Sequence, residues 1–434
     1  MIALIVTVLI DTSVVKINDL IDKYFIPLQS KVMLFAVNSS LCLLLQFLMI
    51  KYLQSSFKRD RLNNTFKVQS FYKISLISLC VLATFIGFLI FQLFYNNYYN
   101  TSISIFIITI SYGTATAFII RLSLLFFSWF KSNHNLIVFL YFISMLVIVF
   151  NLIMTAAYTS VKVSELPNPT GEYVGASGFF SNDRYSLLEN VYRIFSFMSF
   201  FSIWITTAVL LINYRKKPSS NAIVYWIILS VPFVYFLITY FYQYILGDIL
   251  ISYLEIDPIT VSIILGAFLA LSKPIGGLVF GVAFWKISRI MSYEKKIMTY
   301  MIISGFGIFL IFAANQAATQ TIPGIYPPFG LLTITVLNIA AFFMLLGIYN
   351  SATLVSANRN LRKLIRKHAL ESKLLGLLGH AEMDNEIRKT VKEITRDKDV
   401  LERYKEAEFE FDEKELEKYV NSVIRETKKN INSN

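Results

Sequence analysis

In the run LALSKPIGGLVFGVAFWK, residues 269–286, a lysine and a proline stand side by side in a stretch that otherwise reads as hydrocarbon. Lys273 places an ammonium group in that hydrocarbon, where a charge is kept only for a reason. Pro274 lacks the N–H that would bond the carbonyl of Ala270, and it disfavours helical angles at Lys273. Gly276, Gly277 and Gly281 follow, and GLVFG has the small-xxx-small spacing that lets two helices approach closely. A Gly/Pro-interrupted apolar segment with a charge at the interruption is the pattern by which secondary transporters open a helix around a substrate. The competing reading is a kinked helix whose lysine reaches water.

Arg121 is a second charge inside an apolar run. It precedes Lys131 by ten residues, about 15 Å along a helix, and Lys273 precedes Lys286 by thirteen, about 20 Å. If the later lysines mark an inner interface, both earlier charges lie near mid-depth, where a charged side chain costs about 2.5–3.5 kcal/mol on insertion scales. Lys273, Pro274, Gly276, Gly277 and Arg121 are therefore the candidate ligand or substrate residues. For Arg121 the alternative is that its span ends early and the guanidinium reaches the headgroups.

Other chemistry is not signalled. There is no GxxxxGK[ST], GxSxG, HExxH or CxxC. His134, His368 and His380 are far apart, and Cys42 and Cys80 fall in apolar runs as packing residues, so no metal site is expected. A membrane enzyme needs several His, Asp or Glu converging at one face, and no such cluster occurs; no catalytic residue is assigned. A lysine in a seventh span resembles the Schiff-base position of retinal-binding proteins. Span three offers Arg121 where a carboxylate counter-ion would be needed, so no cofactor is expected.

The elements that carry these residues follow from composition. Of 434 residues 56% are apolar, 15% aromatic and only 16% charged, a balance that belongs to a membrane protein. Residues 361–434 hold 17 Lys/Arg and 16 Asp/Glu, almost half of all charges, which marks a boundary near residue 360. A bilayer core about 30 Å thick takes roughly 20 apolar residues per helix. Nine runs qualify, near 32–53, 75–95, 102–126, 136–158, 190–213, 222–247, 259–285, 297–316 and 329–352. The opening MIALIVTVLI is about half the needed length, so residues 1–31 read as an interfacial or re-entrant segment on the outside, with a tenth span as the alternative.

Orientation follows from Lys and Arg, which short translocated loops exclude. Odd loops carry Lys58, Arg59, Arg61, Lys131, Arg215, Lys216, Lys217, Lys286, Arg289, Lys295 and Lys296, whereas loop two (YNNYYNTS) and loop eight (ATQTIPGIYPP) are uncharged and loop six (GDILISYLEID) is acidic. The N-terminus is expected outside and the C-terminus in the cytoplasm, in the cell membrane. The same loops account for the pI of 9.4, so nucleic acid is not an expected partner. Loop four, 161–187, is long and carries Phe179 and Phe180, and it could face a ligand.

In the tail, Leu361, Leu364, Ile365, Met383, Ile387, Val391 and Ile394 recur at helical spacing, so the last span is expected to continue as a helix beyond the membrane. A second amphipathic helix is expected from FDEKELEKYVNSVIRET. The tail could pack on itself, on another copy or on a cytoplasmic protein through residues 361–434. His380 lacks the flanking pattern of a histidine-kinase phosphoacceptor. The run YPPFGLLTITVLNIAAFFMLLGIYNSATLVSANRNLRKLIRK, at 326–367, resembles the final span and juxtamembrane helix of uncharacterised multi-pass membrane proteins of archaea, which implies a membrane location and no known activity.

The expectation is thus an all-α polytopic helical membrane bundle of about nine spans. Residues 1–31 form the outer segment, 32–358 the transmembrane domain and 359–434 a charged helical cytoplasmic tail. The favoured function is receptor-like signalling from an outer loop and polar cavity to the tail. The alternatives are a transporter with its site at the broken seventh span, or a non-catalytic subunit of a membrane complex.

Overall fold

The structure is a computed structural model of the chain. It describes residues 2–23, 27–58, 66–164, 186–212, 222–241, 258–291, 294–321, 326–358, 360–362, 365 and 373–396. The expected loop-six acids, Phe179 and Phe180, Arg59, Arg61, Arg215 to Lys217 and the 411–427 helix lie outside the described residues. Eleven helices are described: α1 (Ile2–Lys23), α2 (Leu28–Lys58), α3 (Phe66–Asn96), α4 (Thr101–Asn133), α5 (Leu136–Ser164), α6 (Ser186–Ile212), α7 (Ala222–Phe241), α8 (Pro258–Ile290), α9 (Lys295–Thr321), α10 (Leu331–Ala357) and α11 (Lys373–Arg396).

Seven of them, α2 to α6, α9 and α10, are long and apolar enough to cross a bilayer. The runs expected at 222–247 and 259–285 fall on α7 and α8, whose side chains are described only in part. Outward faces are hydrocarbon: Met33, Val37, Leu41, Leu44 and Leu48 on α2 and Ile77, Phe88 and Phe91 on α3 are exposed. Apolar stripes of that length are lipid-facing surface.

The centre of the bundle is α10. Every residue from Leu331 to Ala352 is buried, as befits a helix that is apolar all round. It is enclosed by α9, α4, α11 and α3, with α1 and α2 meeting it near its N-terminal end. Small residues set the closest approaches: a Cβ on Gly281 of α8 would lie 2.7 Å from the carbonyl oxygen of Gly305 on α9, and one on Gly307 would lie 2.8 Å from that of Ala340 on α10. In lipid, where apolar burial does not drive helices together, backbone approach of this kind supplies the packing energy.

The two ends of the bundle are distinct. At one, the uncharged turns after α3 and before α10 meet, with Tyr99 stacked on Tyr326 at 6.3 Å. At the other, α11 lies across the ends of α4 and α10 near Lys131. The short α1 packs Leu4 and Val8 inward, and Asn38 Nδ2 of α2 donates to Thr7 O at 3.1 Å. Thr7 therefore sits level with a point about 15 Å along α2.

Two expectations need correction. The seventh apolar run is not broken: α8 continues through Lys273 and Pro274 to Ile290. Neighbouring helices hold the segment: Tyr235 Oη of α7 donates to Phe268 O at 2.6 Å, six residues before Pro274, and the glycine face of α8 is seated on α9. The last span, likewise, does not run on into the tail. α10 ends at Ala357 with Asn358 in an extended conformation (φ −108°, ψ 107°), and Asn358 Oδ1 accepts from the backbone N–H of Asn360 and Leu361. Asn358 thereby closes one helix and caps the next turn, which frees α11 to fold back on the bundle.

Candidate functional site

Lys273 lies near the middle of α8 and is 1% exposed. Helical side chains lean toward the N-terminus of their helix, which carries this ammonium toward the end where α5 finishes and α6 begins. There Nζ donates to Tyr192 Oη at 3.1 Å. The ring centre of Tyr192 is 5.4 Å away, so the ammonium sits at the hydroxyl and not over the ring face. Among the described residues no carboxylate pairs with Lys273.

Tyr192 in turn stacks on Tyr158 of α5, nearly parallel at 5.0 Å and 5°. The outer face of Tyr158 is covered by the Lys162 ammonium, 5.6 Å from the ring centre. Lys162 also lies in the field of Glu189, which is ion-paired one turn on with Arg193. Tyr112 of α4, within electrostatic reach of Tyr192, donates to Asn315 Oδ1 of α9 at 3.1 Å. Five helices thus contribute side chains to one polar site, here called the chamber, in which Lys162, Lys273 and Arg193 outnumber Glu189.

Helical spacing orients further groups toward it. Asn151, Thr155 and Tyr158 share a face of α5, and Ser196 lies one turn from Tyr192 and one from Phe200, the ring that meets Gly276. Asn151 Oδ1 and Ser196 Oγ are buried without a hydrogen-bond partner. Buried polar atoms of this kind are few in native proteins and call for an explanation.

Of the candidates read from the sequence, Lys273 faces the chamber directly. Gly276 and Gly277 shape the helix contacts beneath it, against Phe200 and against Phe309 and Phe312. Pro274 lies inside the unbroken helix. Arg121 is not part of this group. It lies nine residues, about 13.5 Å of helix, from Tyr112. Its field is felt instead by Tyr349 of α10, together with those of Glu382 and Glu386.

That second cluster is built on α11. Trp129 Nε1 donates to Glu382 Oε2 at 2.7 Å, and Ser132 Oγ to Asp384 Oδ2 at 2.9 Å. Asn133 Nδ2 donates to Leu377 O at 2.7 Å, and Asn385 Nδ2 to Ser128 Oγ at 2.9 Å. Glu382 and Asp384 are buried, as are Leu374, Leu375, Leu378 and Ala381 of the same helix. A side chain at Gly379 would overlap Val355 of α10, so α11 lies directly against the central helix. Partial burial, reinforced by the like charge of Glu382, holds the Glu386 carboxyl above the usual carboxylate range against the opposing pull of Lys389.

A third buried group is Asp11 of α1, fully enclosed, which accepts from Thr333 N at 2.9 Å and Thr333 Oγ1 at 2.7 Å at the first turn of α10. The sequence reading missed Asp11, Tyr192 and the α11 contacts. Asp11 was available as the one acid in the opening apolar run; Tyr192 had no distinguishing signal among 25 tyrosines. Among the described residues there is no group of three or more His, Cys, Asp or Glu that could hold a metal, and Cys42 and Cys80 are both free thiols.

The helices define the class: an all-helical, multi-pass integral membrane protein. No protein-family model, curated protein or solved structure matches the chain.

Proposed function

We propose that this chain is a receptor-like membrane protein, in which occupancy of the chamber around Lys273 is reported to the far end through the central helix α10 and the tail helix α11 docked on it. In this reading the bundle crosses the cell membrane nine times with the tail in the cytoplasm. The relation to archaeal membrane proteins belongs to the same proposal.

The observation that carries it is the seam between α4 and α11. A purely structural contact there would be served at least as well by apolar side chains, since burying a carboxylate costs several kcal/mol before any partner is found. A seam that buries two carboxylates, Glu382 against Trp129 and Asp384 against Ser132, instead offers polar contacts that can be made and broken, which is what a switch element requires. The route runs through α9 and α10, which pack on each other: Asn315 of α9 bonds Tyr112 at one end, and Val355 of α10 abuts Gly379 at the other. The buried cation favours transport as a second reading, but the unbroken α8 removes the helix opening on which that reading rested.

The test compares Glu382→Gln and Lys273→Ala in the full chain. In native membranes, cross-linking of proteins to α11 is measured; in proteoliposomes, solute flux. The receptor reading requires that Glu382→Gln change the cross-linked partner and that no flux occur. Flux that is lost in Lys273→Ala and untouched by Glu382→Gln would establish a transporter and end the receptor reading.

A further inference from the structure

We infer that the chamber between α5, α6 and α8 binds a monocarboxylate with an apolar body, its carboxylate held by Lys273. The inference rests on the chamber half of the reading above and deepens it by naming the ligand class.

The argument begins with donors. An ammonium has three N–H groups, and among the described residues Lys273 commits one, to Tyr192 Oη. Enclosed at 1% exposure, the other two have no bulk water to satisfy them. A buried, intramembrane cation is kept where something negative or strongly dipolar meets it. The surrounding charges do not supply that. Glu189 is already bonded to Arg193 and lies in the field of Lys162, and no carboxylate of the described residues reaches Lys273.

Charge number then selects the ligand. One enclosed positive charge is neutralised by one negative charge. A doubly charged phosphate would leave an uncompensated anion in the same low-dielectric setting, at a cost greater than the pairing returns. The two oxygens of a carboxylate match the two uncommitted donors of Lys273. The adjoining surfaces decide the body of the ligand. Tyr158, Tyr192 and Phe200 are aromatic, and ligand sites combine mostly apolar walls with a few placed polar groups. Ser196 Oγ and Asn151 Oδ1, buried and unpartnered on the faces that carry Tyr192 and Tyr158, give a hydroxyl substituent a place to bond. Lys162, beside Tyr158, adds a longer-range attraction for anions.

The test uses the full chain in lipid nanodiscs and three probes: benzoate, benzyl alcohol and inorganic phosphate. Binding is read as a saturable rise in unfolding temperature and by ligand-observed NMR. Benzoate should bind, benzyl alcohol and phosphate should not, and Lys273→Met should weaken benzoate by about tenfold or more, the usual worth of a hydrogen bond to a charged group. Tyr192→Phe, which keeps the ring stack and loses the hydroxyl, should weaken it by less, about threefold to tenfold. It also provides a folded comparison if Lys273→Met does not assemble. Benzoate binding that is absent in the parent, or unaltered in both variants, overturns the inference. So does equal binding of benzyl alcohol, which makes the site merely apolar, and so does preferred binding of phosphate. Benzoate binding that leaves the α4–α11 seam unchanged in cross-linking would retain the ligand class and sink the receptor reading; a seam that responds to Glu382→Gln without any benzoate binding would do the reverse.

Discussion

Asp11 should be worth far more to the assembled bundle than its place in a short opening helix suggests. Its carboxylate takes two hydrogen bonds at the first turn of α10, from the backbone N–H and the hydroxyl of Thr333. Thr333 is the third helical residue, so its N–H is one of the donors the helix itself cannot satisfy. Replacing Asp11 by Ala leaves that N–H buried without an acceptor, costing about 1–3 kcal/mol. It also removes a negative charge from the positive end of the α10 dipole, worth about 0.3–2 kcal/mol. The hydroxyl recovers part of its loss by turning to a carbonyl one turn back. A net loss of about 2–4 kcal/mol follows. Asp11→Asn keeps an oxygen acceptor and loses only the charge, so it should cost about 1 kcal/mol. Reversible unfolding in mixed micelles measures both. A double cycle with Thr333→Val should return a coupling of about 0.5–1.5 kcal/mol for the hydroxyl bond alone. If Asp11→Ala costs less than about 0.5 kcal/mol, or no more than Asp11→Asn, then Asp11 does not cap α10 and the reasoning fails.

Further outcomes are expected elsewhere in the bundle. Gly281→Ala places a Cβ against a backbone oxygen of α9, which cannot move aside as a side chain can, and should cost about 1–3 kcal/mol. Gly113→Ala, at a position with nothing within 4 Å of the added Cβ, should be neutral or stabilising by up to about 1 kcal/mol, so equal losses at the two sites in the same unfolding assay would contradict the packing account. Glu386 titrates higher in the folded protein than its ordinary value of 4.5, so its share of α11 docking is fully present below that value and is lost as pH rises through the raised, folded one. Trp129 fluorescence, reporting the bond to Glu382, should therefore indicate looser docking across that rise, and Glu386→Gln should flatten the profile; an unchanged slope in that variant would mean that another group controls it.

The class of fold was legible because it follows from hydrocarbon content and run length, which need no knowledge of neighbours. The helices expected at 102–126 and 136–158 are present as α4 and α5, extended at their C-terminal ends beyond the apolar runs. The extensions were missed because polar turns such as SWFKSN add little to apolar run length yet continue the hydrogen-bond ladder. Pro274 misled for a related reason. A proline's local preference is fixed by its own ring, whereas the helix around it is held by Tyr235 and by the α9 face, both invisible in the local sequence. Lys273 was found because a charge in a hydrocarbon run is conspicuous by itself. Its partner Tyr192 was not, because tyrosine is ordinary in a membrane protein wherever it falls.

The same contrast explains how the bundle chooses its arrangement. In lipid an apolar face gains little by meeting one neighbour in place of another, since acyl chains would cover it equally well. Polar side chains do discriminate, because a donor buried beside the wrong helix finds no acceptor. Asp11 joins α1 to α10, and Gln46 Nε2 joins α2 to α10 through Thr335 Oγ1 at 3.2 Å. Ser111 Oγ joins α4 to α10 at Ile334 O, and Ser144 meets Thr206 between α5 and α6 at 2.8 Å. Trp204 Nε1 joins α6 to α7 at Leu229 O, 2.9 Å away, and Trp129 joins α4 to α11. Three of these contacts converge on residues 333–335, in the first turns of the central helix. A central helix so placed is anchored at one end by polar bonds and meets α11 at the other, so a shift in its register would have to break one set of contacts or the other. Lys273 stands apart from this scheme: its hydrogen bond to Tyr192 joins α8 to α6, while the charge it carries is more than that join requires.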